Sequence, residues 1–122
     1  MTNLTDLTVD TLTIGTVPLT NVVEAMTADN AITIKQGMVT LDKSSALLAT
    51  LANPIATTDD YKRLTIVSLT AQGHKITVTG GYGGAGTGED VATFTAAIGA
   101  CLDLIAFQGL WYVAGQYLTT IA

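Results

Sequence analysis

Arg63-Leu64-Thr65-Ile66-Val67-Ser68-Leu69-Thr70, followed by Ala71-Gln72-Gly73 and then His74-Lys75-Ile76-Thr77-Val78-Thr79, is the stretch that decides the fold. The first run is rich in β-branched residues and apolar on both faces, which predicts a central strand. Ala71-Gln72-Gly73 turns the chain. In the second run His74, Ile76 and Val78 point one way while Lys75, Thr77 and Thr79 point the other, the period of a half-buried strand.

Outward from this stretch the same grammar continues. Upstream, Ile32 and Ile34 alternate, Gln36-Gly37 reads as a turn, and Met38-Val39-Thr40-Leu41 returns, which predicts a hairpin. Ala46–Leu51 is a further strand, and Asn53-Pro54 with Thr57-Thr58-Asp59-Asp60 forms loop and turn. Downstream, Gly80 to Gly88 is a glycine-rich loop. Strands follow at Val91–Phe94, Cys101–Phe107, Leu110–Val113 and Tyr117–Ile121, with Gln108-Gly109 as a hairpin turn. No fixed-period repeat is visible. Short, closely spaced strands predict an all-β fold, a compact antiparallel β-sandwich or barrel, over residues 29–122.

Residues 1–28 differ in composition. They carry Asp6, Asp10 and Glu24 but no Lys or Arg, whereas all five basic residues lie between Lys35 and Lys75. Leu7 and Val9 alternate around Thr8, and Leu12 and Ile14 around Thr13, before Gly15 and Pro18 punctuate the chain. Asn21 with Glu24 three residues on signals one or two helical turns over Asn21–Ala28. Two small apolar patches cannot bury themselves. The segment is therefore expected to be an extended N-terminal arm that contacts a partner surface or a neighbouring subunit through Leu4, Leu7, Val9, Leu12 and Ile14.

Composition bounds the function. The 122 residues make one domain with an arm. Only 12% are charged against 48% hydrophobic, and the mean hydropathy is +0.46. A soluble domain averages roughly 25% charged residues. Such a chain is short of polar surface and is expected to hide part of it against other copies or a larger assembly. A net charge of −5 argues against nucleic acid and against anionic membranes. The beginning of the sequence lacks a basic n-region and an apolar h-region, and no run of about 18 apolar residues occurs. Synthesis in a cytoplasm without general export is the expectation.

Chemistry-bearing residues are few. Cys101 is the single cysteine and sits in an apolar run, where a core thiol is expected. His74 is the single histidine and reads as a satisfied structural residue. Gly81, Gly83 and Gly86 satisfy G-x-G-x-x-G, but the Glu89-Asp90 pair and the strand that follow do not fit a dinucleotide loop. Asp59-Asp60 and Glu89-Asp90 read as turn acids rather than metal ligands, with Lys62 and Arg63 as surface ion-pair partners for the first pair. Trp111-Tyr112 should place one ring in the core and the other on a surface. Asp103 shares its side of the strand with Cys101, Ile105 and Phe107, and a buried carboxylate there would need a partner. No catalytic, cofactor-binding or metal site is expected, and no enzyme activity.

The residues as a whole also carry a resemblance. Ala31-Ile32-Thr33-Ile34-Lys35-Gln36-Gly37-Met38-Val39-Thr40-Leu41 is followed by Ala52-Asn53-Pro54-Ile55-Ala56-Thr57-Thr58-Asp59-Asp60 and by Leu64–Ser68 with Thr70–His74. Val91–Phe94, Ala97-Ile98-Gly99 and Ala106-Phe107-Gln108-Gly109-Leu110-Trp111-Tyr112-Val113 complete the pattern. From Asp29 to Ala122 the chain resembles the small β-rich module of tailed-bacteriophage head decoration (cement) and head-fibre proteins. The Leu-Thr-Val and Leu-Thr-Ile steps of residues 1–28 are similar to the short β repeats that precede phage fibre domains. The resemblance implies a homotrimer on the outer surface of a capsid in the virion, assembled in the host cytoplasm, with the major capsid protein as partner and no cofactor. The competing expectation is a tail-fibre or receptor-binding module that recognises a host cell-surface glycan or protein through the glycine loop and Trp111 or Tyr112.

Overall fold

The computed structural model describes residues 22–83 and 89–122, together with the backbone of 13–14 and 17–18. Among the described residues there are twelve strands and no helix. In chain order they are β1 (Thr13–Ile14), β2 (Val17–Pro18), β3 (Val23–Met26), β4 (Ala31–Ile32), β5 (Gly37–Leu41) and β6 (Leu48–Leu51). They continue with β7 (Arg63–Ser68), β8 (Lys75–Val78), β9 (Val91–Phe94), β10 (Cys101–Phe107), β11 (Leu110–Tyr117) and β12 (Thr119–Ile121).

β1 and β2 pair with each other. The other ten strands form two five-stranded sheets, in the orders β11-β10-β7-β5-β3 and β12-β9-β8-β6-β4. The alternation read from sequence explains how they stack. Along β7, Leu64, Ile66 and Ser68 are buried while Arg63, Thr65 and Val67 face outward. Along β8, Ile76 and Val78 are buried, and His74 just before them is buried too. Inward side chains from both sheets, among them Val39, Ile66 and Leu102 from one and Ile76, Val78 and Phe94 from the other, form a single apolar cluster. Trp111 lies wholly inside it and donates its indole N–H to the Ala52 carbonyl at 2.9 Å. The architecture is thus all-β in two layers, with β7 central in its sheet as expected.

The two packed sheets are consistent with the expected β-sandwich, but the strand directions correct the expectation that it is antiparallel: both sheets are mixed. β3, β5 and β7 run parallel to one another, as do β4, β6 and β8. From β3 to β8 the chain changes sheet after every strand. Each strand of one sheet therefore serves as the crossover that parallel neighbours in the other require. The result is a short wound stack, in the manner of a β-solenoid. Its step is uneven: Val23 lies opposite Met38, but Met38 lies opposite Thr65. Uneven steps leave no fixed period in the sequence. From β9 on the pairing is antiparallel, with β9 on β8, β10 on β7, and β11 and β12 outermost.

Two local expectations change accordingly. Gln36-Gly37 does turn the chain, but β4 and β5 belong to different sheets, so no hairpin closes there. Gly37 has φ +113°, and a Cβ there would strike the Val22 carbonyl, so the position is built for glycine. The helical turns expected over Asn21–Ala28 are absent from its described residues, 22–28: Val23–Met26 is an edge strand that pairs with β5 and buries Met26, and Asn21 lies outside the described residues. Pairing and burial override a weak capping signal there. The Gln108-Gly109 hairpin is present as read, joining β10 to β11 with both turn residues at positive φ.

Candidate functional surface

The polar residues singled out from sequence are engaged in holding connections together. His74 is fully buried. Its Nδ1 accepts from the Leu47 backbone N–H at 3.0 Å, and its Nε2 lies 2.8 Å from the Thr70 hydroxyl. That hydroxyl donates to the Lys43 carbonyl at 2.7 Å, so the imidazole N–H at Nε2 donates to Thr70 and the ring is neutral. Burial first, and the nearby Lys43 charge second, push the His74 pKa down. The ring is a latch between the β5–β6 connection and the turn before β8.

Asp59 is also buried, at 3% exposure. Its Oδ2 accepts from the Ile55 N–H at 2.7 Å and from Lys35 Nζ at 3.1 Å, and its Oδ1 accepts from Lys62 Nζ at 2.7 Å. The Ile55 amide and then Lys62 hold its carboxyl well below the usual range, against the opposing cost of burial. The surface ion pair expected here is instead a buried node with two lysines. Arg63 takes no part in it. Asp60 accepts from the Thr57 N–H and from both the backbone N–H and the side-chain amide of Gln108, tying this loop to the β10–β11 turn. Asp29 likewise accepts from Leu48 N–H and Lys43.

The remaining candidates sort by face. Cys101, expected in the core, is half-buried on the outward side of β10, because Leu102, Leu104 and Ala106 take the inward positions. Asp103 is outward too, and the partner absent from the sequence reading is Thr65 on β7, whose hydroxyl donates to it at 3.2 Å. Tyr82 is buried, donates its hydroxyl to the Ile76 carbonyl at 3.0 Å and has its pKa raised, chiefly by burial. Of the glycine loop, residues 84–88 lie outside the described residues, as do Leu4, Leu7, Val9 and Leu12 of the expected arm. Ile14 is placed through its backbone pairing with Val17. Among the described residues no three His, Cys, Asp or Glu side chains converge as a metal site would require.

What the structure does bring together is a pair of contrasting outer faces. Across the β3-β5-β7-β10-β11 sheet one row reads Val23, Met38, Thr65, Asp103, Gly115 and the next Ala25, Thr40, Val67, Cys101, Tyr117. Arg63, Ile105 and Tyr112 form a third row. Val23, Met38, Phe107 and Tyr117 are exposed. Across the other sheet the rows read Leu48, Lys75, Thr93, Thr120 and Ala31, Thr50, Thr77, Val91. The first face is largely apolar and aromatic; half of the second is threonine. An open hollow of about 580 Å³ lies at one end of the apolar face, between Val23, Met38, Tyr61 and Arg63.

No protein-family model, no curated protein and no solved structure matches the chain.

Proposed function

We propose that this chain is a structural virion protein, a homotrimeric decoration protein that binds the outer surface of a phage head against the major capsid protein and stabilises the shell. The observation that carries this reading is the division of the surface into an apolar face and a threonine face. A module that joins an assembly needs one side to hide and another to show to water. The resemblance of residues 29–122 to head decoration modules supplies the kind of assembly. Polar side chains that could have suggested chemistry, His74 and Asp59 above all, are consumed in latching connections.

In this reading Leu4, Leu7, Val9, Leu12 and Ile14 contact capsid protein or a neighbouring subunit. Apolar burial contributes roughly 25 cal/mol per Å² before the costs of association. Many copies bound at once add avidity, so modest single contacts suffice to clamp adjacent capsomers against internal pressure.

The test is co-sedimentation of the full-length protein with expanded capsids of the phage that encodes it. Saturable pelleting that is lost when Leu4, Leu7, Val9, Leu12 and Ile14 are all changed to Ser supports the reading. Failure to pellet, with labelling of host cells instead, overturns it in favour of a receptor-binding module. Of the rings first considered for a glycan site, Trp111 is enclosed in the core and cannot stack on a sugar.

A further inference from the structure

We infer that the outer face of the β3-β5-β7-β10-β11 sheet is the surface through which copies of this chain meet, packed around a common axis. The inference rests on the homotrimer reading for the number of copies, but the face itself is argued from its residues.

Charge selects a copy of the same chain as the occupant. The strands of this face carry two outward charged side chains, Arg63 and Asp103. Arg63 is exposed and makes no ion pair among the described residues, and Asp103 accepts only from the Thr65 hydroxyl. One cation and one anion on a single apolar face are complementary to the same face of another copy. An anionic membrane surface would meet a chain of net charge −5 without a basic cluster.

Shape points the same way. The hollow bounded by Val23, Met38, Tyr61 and Arg63 lies on the β3-β5-β7 side. On the β11 side Tyr117 stands out from the sheet, 60% exposed. One face thus supplies both a concave and a convex end. A contact of unlike ends closes into a ring when the rotation permits, as a three-fold does. Tyr61 adds a further sign. It holds a left-handed φ of 71°, a strained state for a bulky residue, yet it is 73% exposed, with its ring tilted against Phe107 at 5.8 Å.

The experiment is solution mass by light scattering on full-length protein and variants, with far-UV circular dichroism to follow the fold. Wild type should run near three times the 12.6 kDa chain. Val67→Glu, in the middle of the face, should bring the mass down three-fold with an unchanged spectrum, while Thr77→Glu on the opposite face should leave it at the wild-type value. Arg63→Asp should also dissociate the protein, and Arg63→Asp with Asp103→Arg should restore assembly. Cys101 gives an independent readout on unmutated protein: its thiol should react at least ten-fold more slowly with a maleimide in the assembled form than in Val67→Glu. An assembled wild type whose mass survives Val67→Glu would overturn this face and leave the trimer standing. A wild type that is monomeric at every concentration would overturn both.

Discussion

The wound half of the molecule, β3 to β8, and the antiparallel half, β9 to β12, are held together by different means. In the antiparallel half a two-residue turn joins β10 to β11, and β12 comes back past that hairpin to pair with β9 at the outer edge of the other sheet. In the wound half each strand pairs with one that comes two strands later, across a connection that must be set in place. Buried or bridging side chains do that setting. Asp29 holds the Leu48 amide, Asp59 the Ile55 amide, and His74 the Leu47 amide. Where topology denies a strand a local turn, a polar side chain stands in for it, by capturing a distant backbone N–H as Asp29 and His74 do, or by closing its own connection as Asp59 does.

The comparison predicts that the wound half is the more fragile to single changes. The largest effect is expected at Gly37. Gly37→Ala combines a positive φ with a collision against the Val22 carbonyl, and should destabilise on the order of 3 kcal/mol. A urea midpoint that barely moves would show that the entry to β5 is free to shift. Next comes Asp59→Asn, which strips the charge from a buried carboxylate and leaves Lys35 and Lys62 facing a neutral amide. With both ammonium groups partly solvated, a loss of roughly 2–3 kcal/mol is expected in the same titration. Equal stability of the two proteins would mean that the node is not what positions the β6–β7 connection.

The pH dependence sharpens the same contrast. The folded pKa of His74 is depressed below its ordinary 6.5, so the unfolded chain binds the proton more readily. The latch is at full strength above about pH 6.5 and weakens as pH falls below it, by at most about 1.4 kcal/mol per pH unit. Asp59, depressed below 3.8, adds its own loss only as pH falls under that value. Thermal melts from pH 8 to 4.5 should therefore decline first through His74, and His74→Gln should be less stable at pH 8 yet flatter across the range. A slope unaltered by His74→Gln would move the titration to another group. The smallest effect belongs to the antiparallel half. Gly109 has φ +80°, but a Cβ there would meet Pro54 and Ala56 only at ordinary contact distance, so Gly109→Ala should cost only about 1 kcal/mol. A loss as large as at Gly37 would erase the distinction between the halves.

The same contrast explains what could be read in advance. The β7 and β8 patterns, the division of the Trp111-Tyr112 pair between core and outer face, and the Gln108-Gly109 hairpin follow from signals within a few residues, and the structure has each of them. The Gln36-Gly37 hairpin and the helical turns over Asn21–Ala28 fail because the partner that decides the outcome, β5 for β3 and β7 for β5, is not the nearest segment. Asp59 was legible as a turn acid, but its burial between Lys35 and Lys62 was not, since Lys35 belongs to a different turn of the winding. Cys101 fell on the outer face because a strand apolar on both sides does not announce which side is core.

By itself the sequence determined that this chain is all-β, poor in charge and supplied with few groups for chemistry, because composition and period-two alternation are local properties of the chain. Only the tertiary structure decided that the strands wind in parallel before they fold back, that His74 and Asp59 are latches, and that one sheet turns an apolar face outward. Those outcomes depend on which distant backbone meets which side chain, and pairing between sheets leaves no periodic trace when its steps are uneven.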